Sequence, residues 1–292
     1  MPPVIDAHIH AYPAAVFDDP RTWAAARQES WWADAVAPLA RPSIQGWADV
    51  DQLLRDMDDA GVDQAVMLGW YWQHQTTCEE NNAWMAAWRT AHPDRLHAFT
   101  AVNPAAGPTA LAQTRRWLDE GFSGIGELLD RVQGYRYADD CFTALVQLAR
   151  EFNVPFNLHV TDPKLDQRPG LQPTPLADFI ALAVAFPHNT FILAHLGGGL
   201  ALESLADLPP NLYFDTAATP LIYESTCYRR AITHAGLDRV IFGTDYPLRV
   251  YPRASAAPDF AQQIAEIRAS DLTAVEFDAI MGGNIHTLLT RD

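Results

Sequence analysis

Asp6-Ala7-His8-Ile9-His10 directly follows the short apolar run Val4-Ile5, near the start of a chain of 292 residues. In a strand, alternate side chains point to the same face, so His8 and His10 would stand side by side, with both imidazoles able to bind one metal ion. Two histidines with this spacing also arise by accident. The pattern of the remaining chain decides between the two interpretations.

From residue 49 onward, helical and apolar strand patterns alternate. The first unit is a helix at 51–60 that ends at Gly61 and precedes a buried strand at 62–68. The same unit recurs, and with the first strand it gives eight strands. The further predicted strands are 96–102, 123–129, 154–160, 190–196, 211–215 and 239–243, and the helices before them are 79–90, 109–119, 139–152, 176–186, 200–208 and 225–235.

Eight short strands separated by helices predict an α/β fold, a (β/α)8 TIM barrel that forms a single domain over residues 1–292, although an open doubly wound sheet has similar local patterns. The positions of the polar residues favour the barrel. Barrel enzymes place their chemistry at the carboxyl ends of the strands, and side chains from five different strands converge only if the sheet closes. Six such residues lie at or just after strand ends: His8, His10, Glu127, His159, His195 and Asp245.

A long connection between His10 and Trp47 interrupts the alternation after the first strand. It is rich in proline, alanine and tryptophan, including Trp23, Trp31 and Trp32. So many indoles in one connection predict a folded, Trp-rich excursion that packs over the barrel as a lid or wall. For any one tryptophan, the alternative of merely attaching the excursion to the barrel stays open.

Composition narrows the class of partner. The formal net charge is −16, with 20 basic against 36 acidic residues, and nucleic-acid binding requires clustered lysine and arginine.

The three cysteines, Cys78, Cys141 and Cys227, form neither a zinc pattern nor a disulfide framework. No signal peptide or apolar run of bilayer length is present, so we expect a cytoplasmic protein that acts on a small molecule, away from nucleic acid and membranes. Assembly into a homo-oligomer stays open.

Five motifs carry a resemblance to a known family: residues 5–10 (IDAHIH), 157–159 (NLH), 192–198 (ILAHLGG), 238–247 (DRVIFGTDYP) and Gly283-Asn284. In this order the chain resembles the amidohydrolase superfamily, in the amidohydrolase-related branch that includes aminocarboxymuconate semialdehyde decarboxylase. The resemblance implies a divalent metal, Zn²⁺ by the chemistry of its ligands, held by His8, His10, His159 and Asp245. His195 would be a ligand of a second ion or an acid-base residue, and Asp245 would also move a proton.

Glu127 departs from the pattern of the decarboxylases in this branch, which manage one metal without a bridging acid from strand four. In binuclear members of the superfamily, an acid in this region bridges two ions, and His195 would then bind the second one. The alternative is that Glu127 accepts a hydrogen bond from a ligand imidazole. Whether the site binds one metal ion or two therefore stays open.

The loops after strands two and eight would form the substrate pocket. Trp70 and Trp72 follow strand two, and their rings suit a flat or apolar part of a substrate. Arg249 lies shortly after Asp245 and could bind a substrate carboxylate, unless it forms a surface salt bridge.

Two enzymatic functions fit these residues. The first is a metal-dependent hydrolase that cuts an amide, ester or lactone bond through a metal-activated water. The second is a metal-dependent, non-oxidative decarboxylase of an aromatic or muconate-like carboxylate, in which His195 or Asp245 delivers a proton to carbon. Glu127 favours the first, whereas the family resemblance and the aromatic residues favour the second.

Overall fold

Eight parallel strands form a TIM barrel in the computed structural model, which describes residues 2–165, 171–205, 208–249 and 257–290. Neighbours in the sheet follow chain order. The strands are β1 (Ile5–Ile9), β2 (Gln64–Met67), β3 (Leu96–Thr100), β4 (Gly124–Leu128), β5 (Phe156–Leu158), β6 (Phe191–Leu193), β7 (Leu212–Asp215) and β8 (Val240–Ile241). Backbone hydrogen bonds from Ala7 N to Phe242 O and from Asp245 N to His8 O, each 2.9 Å, close the barrel between β8 and β1. The predicted fold is thereby confirmed.

Helices lie between the strands and pack on the outside of the sheet. The described α-helices are α1 (Ala14–Phe17), α2 (Pro20–Arg27), α3 (Ser30–Val36), α4 (Val50–Ala60), α5 (Gln75–Ala91), α6 (Pro108–Asp119), α7 (Asp130–Gln133), α8 (Asp140–Glu151), α9 (Leu176–Ala185), α10 (Thr226–His234), α11 (Ala261–Ala269), α12 (Ala274–Asp278) and α13 (Asn284–Leu289), with a π-helical turn at Ala279–Gly283. Short 3-10 turns lie at Pro104–Ala106, Leu200–Leu202, Thr219–Leu221 and Leu237–Arg239. None of the helices in the described ranges is long and apolar enough to cross a membrane.

Local sequence explains the boundaries of α4 and its entry into β2. The Asp49 carboxylate accepts a hydrogen bond from Gln52 N at 2.8 Å and so caps the first turn. Leu53 and Met57 form the buried face of the helix. Gly61 adopts a left-handed conformation with φ of 71° and ends the helix, because a residue without a side chain enters this region at little cost.

The segment after β6 differs from the prediction. The strand ends at Leu193 rather than 196, because His195, Leu196 and Gly197 have left-handed φ angles of 59°, 53° and 60° and form a tight turn. The helix predicted at 200–208 is a 3-10 turn at Leu200–Leu202, and residues 206–207 lie outside the described part of the chain. All three residues of the 3-10 turn are buried, so this segment lacks the polar face of a surface helix.

The Trp-rich excursion consists of α1 to α3. The rings of Trp23, Trp32 and Trp72 pack against one another with centroids 5.3 to 5.4 Å apart, which joins the excursion to the loop after β2. Aromatic pairs at this spacing stabilise each other beyond the area that they bury. Gln45 then forms an antiparallel bridge with Leu248, so the excursion also contacts the loop after β8. The excursion is thus a wall at the carboxyl-terminal end of the barrel.

Candidate metal centre and the cavity above it

Four ligand-capable atoms face one another at the carboxyl ends of β1, β4 and β8. His8 Nε2 and His10 Nε2 lie 3.9 and 3.7 Å from Glu127 Oε2, and 3.8 and 3.7 Å from Asp245 Oδ1. Ligands at about 2.0–2.2 Å from one zinc ion lie roughly 3.3–3.6 Å from each other in a tetrahedral site. The four measured distances are thus slightly longer than those of a tetrahedral site, and the ligand atoms of His8, His10 and Asp245 also lie within 4.8 Å of one another.

The two imidazoles of β1 are held so that both Nε2 atoms point into the cluster. His8 Nδ1 donates to Asp215 Oδ2 at 2.9 Å, and His10 Nδ1 donates to the carbonyl of Leu68 at 3.3 Å. His8 Nε2 is buried and has no hydrogen-bond partner among the described residues. An unpaired buried polar atom costs about 1–3 kcal/mol, and a metal ion would remove that cost. The residues present therefore fit a divalent cation.

Burial and neighbouring charges both shift the pKa values of these residues. Burial disfavours the charged form of His8, but the carboxylates of Asp215 and Glu127 outweigh it and raise its pKa to about 10. Burial and the neighbouring charge of His8 lower the pKa of His10 to about 4. Burial, with the charge of Glu127, raises the pKa of Asp245 well above its ordinary value. Metal ligands must be neutral imidazoles and ionised carboxylates, so cation binding would release protons.

A second group of ligand-capable atoms adjoins the first one. It consists of Glu127, His159 and His195, whose atoms lie within 4.8 Å of one another. His159 Nδ1 donates to Glu127 Oε1 at 2.8 Å, while the other oxygen of this carboxylate faces His8 and His10. Burial is the largest single effect and by itself would raise the pKa of Glu127. The charges of His159 and His8 and the hydrogen bond from His159 together outweigh burial and hold this pKa below its usual range. Glu127 thus joins the two groups.

His195 presents one free ring nitrogen to this second group. Its Nδ1 donates to the carbonyl of Ala217 at 2.9 Å, which leaves Nε2 as an acceptor. Burial, with the charge of His159, lowers the pKa of His195 to about 4. A neutral imidazole of this kind can bind a metal or accept a proton.

All six residues predicted from strand ends meet at one end of the barrel. The grouping differs from the implied ligand set, because His159 lies with Glu127 and His195 rather than with His8, His10 and Asp245. The structure also adds residues that sequence reasoning missed. Asp215 ends β7 and binds His8, a position that the rule used for the other strands could have found.

Asp6 is a second residue that the sequence did not single out as functional. Its carboxylate accepts hydrogen bonds from His8 N at 2.9 Å and from Thr244 Oγ1 at 2.6 Å. Burial raises its pKa to about 7, against the effect of these hydrogen bonds. Asp6 therefore ties β1 to the segment after β8, next to the imidazoles of His8 and His10.

A cavity of about 460 Å³ opens above the cluster. Its wall has an aromatic side and an aliphatic side, and Arg41 contributes a cation from the excursion. Tyr71 stacks on Trp70 with centroids 4.4 Å apart, and its ring lies 5.1 Å from that of His159. The described lining residues include His10, Trp31, Ala35, Val36, Pro42, Ile44, Glu127, Asp162, Leu165, Leu171, His195, Leu221, Ile222, Asp245 and Leu248.

Two of the three residues predicted to contact substrate lie outside the described lining of the cavity. Trp70 lines the cavity, but Trp72 is fully buried behind it and donates from Nε1 to Asn81 Oδ1 at 2.7 Å. Arg249 is outside the described lining and donates to the Ser43 carbonyl, so it fastens the excursion to the loop after β8. These positions correct the sequence-based assignment, because the sequence of an irregular loop does not show which of its side chains point into the cavity.

Hydrogen bonds join the excursion to the loop after β2 beside the cavity. The Glu29 carboxylate accepts from Gln73 N at 2.8 Å and from His74 N at 3.1 Å. In return, Gln73 Oε1 accepts from Trp31 N at 2.9 Å. These contacts fix Trp31, which lines the cavity, against the loop after β2.

Comparison with solved structures finds the same fold in enzymes of low sequence identity. A 5-carboxyvanillate decarboxylase from Novosphingobium aromaticivorans, complexed with manganese and a nitrobenzoic acid, has a TM-score of 0.76 at 15% identity, over 99% of this chain and 96% of that one. A 2,6-dihydroxybenzoate decarboxylase complexed with 2,6-dihydroxybenzoate has a TM-score of 0.69 at 18% identity, over the whole of both chains. A 4-oxalomesaconate hydratase from Rhodopseudomonas palustris has a TM-score of 0.69 at 18% identity, over 98% and 95% of the two chains.

Sequence comparison identifies the family. None of the curated proteins matches this chain. The family model described as amidohydrolase matches residues 5–291, which is nearly the whole sequence. The match includes all six residues that meet at the carboxyl ends of the strands, and the chain therefore belongs to the amidohydrolase family.

Proposed function

We propose that this enzyme is a metal-dependent, non-oxidative decarboxylase of a small aromatic carboxylate. The observation that carries the proposal is the contact between the aromatic wall and the titratable cluster. Trp70 lies 5.4 Å from the ring of His10, and Tyr71 lies 5.1 Å from that of His159. A planar ring seated on this wall would present its substituents to the metal-facing residues. The cavity volume is in the range of small-molecule sites.

The reaction replaces a carboxylate by a proton and releases carbon dioxide. The bond between ring carbon and carboxylate breaks, its electron pair stays on the ring carbon, and an acid of the protein supplies the proton. A bound divalent cation would hold an anionic oxygen of the substrate by its positive charge. Asp245, buried at the floor of the cavity, is the proposed proton carrier: its Oδ1 faces both imidazoles and would bind the cation, and its second oxygen would take up the proton and pass it to the ring carbon. His195 Nε2 lies in the same lining and is the second candidate for proton transfer.

Hydroxylated benzoates are the proposed substrate class. Two solved structures with this fold are decarboxylases of 5-carboxyvanillate and 2,6-dihydroxybenzoate. Arg41, exposed at the cavity, offers a guanidinium to a second anionic group of such a substrate. Imidazole and carboxylate ligands suit Zn²⁺, and one of the two decarboxylases binds manganese, so both ions belong in the test.

The proposal is tested by stripping the purified protein with a chelator, reloading it with Zn²⁺ or Mn²⁺, and incubating it with hydroxybenzoates that include both of these substrates. We expect metal-dependent release of carbon dioxide with a matching amount of the decarboxylated phenol. His8→Ala is the matched control and should be inactive. Metal-loaded protein that releases no carbon dioxide from any member of the panel would contradict the proposal.

Hydrolysis is the second candidate, and Glu127 is the observation that favours it. One of its oxygens faces His8 and His10 and the other accepts from His159, a geometry that would let the carboxylate bridge two ions. Two ions can bind and activate a water molecule between them. The same metal-loaded protein should then release acid from a panel of amides, esters and lactones, with two metal equivalents per chain.

A further inference from the structure

Asp215, the last residue of β7, is a fully buried carboxylate shared by two parts of the site. Its Oδ2 accepts from His8 Nδ1 at 2.9 Å and from Asn157 Nδ2 at 3.2 Å. Its Oδ1 accepts from the backbone N of His195 at 2.9 Å and from that of Ala217 at 3.0 Å. All four hydrogen bonds are donated to the carboxylate, so both oxygens act only as acceptors.

The two oxygens hold different functional groups. At Oδ2, the carboxylate keeps one proton of His8 on Nδ1, so Nε2 is the nitrogen that would bind a cation after releasing its own proton. At Oδ1, it holds the start of the left-handed turn that carries His195. Ala217, whose N–H binds the same oxygen, accepts a hydrogen bond from His195 Nδ1 at 2.9 Å. The backbone and the ring of His195 therefore both depend on Asp215.

We propose that Asp215 is the positioning residue that couples metal binding by His8 to the placement of His195. This inference rests on the proposed metal-dependent function and adds to it a residue that touches neither cation nor substrate. A carboxylate is required, because an asparagine has only one acceptor oxygen. If its amide nitrogen faced His8, the imidazole would have to reverse its tautomer and lose Nε2 as a ligand. If the nitrogen faced the turn, two backbone N–H groups would lose their acceptor.

The test is Asp215→Asn, with Mn²⁺ and Zn²⁺ affinity measured by competition with a chromophoric chelator. We expect binding to weaken by about 10- to 100-fold, the usual effect of removing a partner of a metal-binding histidine. Asn157→Ala is the matched control, because it removes a donor to the same oxygen and leaves both acceptors in place. Its effect on metal affinity should be clearly smaller.

If Asp215→Asn bound Mn²⁺ and Zn²⁺ as tightly as the wild-type protein, the proposal would be overturned. It would also be overturned if Asn157→Ala lost as much metal affinity as Asp215→Asn. A second measurement decides the matter if the Asn variant fails to fold. Nitrogen NMR of the ring of His8 in the metal-loaded wild-type protein should show a proton on Nδ1, and a proton on Nε2 would refute the coupling. Neither measurement needs turnover, so a protein that binds metal in this way but decarboxylates nothing would contradict only the proposed function.

Discussion

At the scale of single residues, the position of Asp245 depends on its own backbone. Its φ of 65° lies in the left-handed region, which is uncommon for an aspartate and is held here by the hydrogen bond from its N to the carbonyl of His8. The next turn is fixed as well, because Tyr246 N donates to Thr244 Oγ1 at 3.1 Å. The carboxylate is therefore presented to His8 and His10 by a rigid segment and not by a free loop.

We predict that Asp245→Asn keeps metal at least partly bound and lowers kcat by about two to four orders of magnitude. The amide retains one oxygen for the cation but cannot give or take the proton in the reaction. Metal content by elemental analysis and kcat on the substrate found in the decarboxylation panel test this expectation together. A variant with bound metal and near-normal kcat would leave Asp245 a ligand only and make His195 the proton carrier.

At the scale of elements, the excursion and the loop after β2 form one aromatic wall with two layers. Trp70 and Trp31 face the cavity, while Trp72 and Trp32 lie behind them and are fully buried. Only the front layer can contact substrate. The back layer holds the front one in place through ring contacts with the excursion.

We predict opposite outcomes for the two neighbouring tryptophans of this wall. Trp70→Ala should raise KM more than it lowers kcat, because the lost ring contacts a part of the substrate that does not react. Trp72→Ala should instead lower the unfolding free energy by about 3–5 kcal/mol, the usual cost of removing a large buried aromatic ring. Steady-state kinetics and thermal melts of both variants measure the difference, and a changed KM with normal stability in Trp72→Ala would contradict it.

The junction between α12 and α10 carries a pH-dependent contact. Glu276 accepts two hydrogen bonds from Arg229, at 2.7 and 2.8 Å, and it completes a capping box with Thr273. The guanidinium, followed by the cap, lowers the pKa of Glu276 from 4.5 to about 2. An acid with a lowered folded-state pKa stabilises the fold above its unfolded pKa, and this stability is lost as pH falls towards the folded value.

We predict that Glu276→Gln lowers the melting temperature near neutral pH, and that the difference from wild type shrinks as pH falls from about 4.5 towards 2. Glu203→Gln serves as control, because Glu203 is exposed and makes no ion pair within the described ranges. Thermal melts across this pH range check the effect. A difference that stayed constant with pH would show that the glutamate acts through packing alone.

At the scale of the whole molecule, the candidate metal centre joins distant parts of the barrel. His8 lies in β1 and His10 directly follows it, Glu127 lies in β4, and Asp245 follows β8. A cation bound to all four would link the closing edge of the barrel to its opposite side. Because an unfolded chain cannot bring these residues together, metal binding should stabilise the folded state.

We predict that Mn²⁺ or Zn²⁺ at about 100 times its dissociation constant adds about 2.7 kcal/mol of stability and raises Tm by several degrees. Chelator should reverse the shift, and His8→Ala should abolish it because a ligand is lost. Differential scanning calorimetry with and without metal measures this. An equal rise in Tm for wild type and His8→Ala would place the binding site elsewhere.

The sequence by itself determined the fold and the residues that meet at its active end. Eight apolar strands, the helices between them and the polar residues at strand ends are properties of short segments, and periodicity reveals them. Once the fold is a barrel, its geometry brings His8, His10, Glu127, His159, His195 and Asp245 to one end.

Only the tertiary structure decided which atoms of these residues face one another. Asp215 and His8 are 207 positions apart in the chain, and their contact depends on strand register and side-chain direction. The same holds for the cavity, which selects Trp70 over Trp72 and Arg41 over Arg249. These choices follow from packing between segments distant in sequence, where a shift of one residue turns a side chain from the cavity to the core.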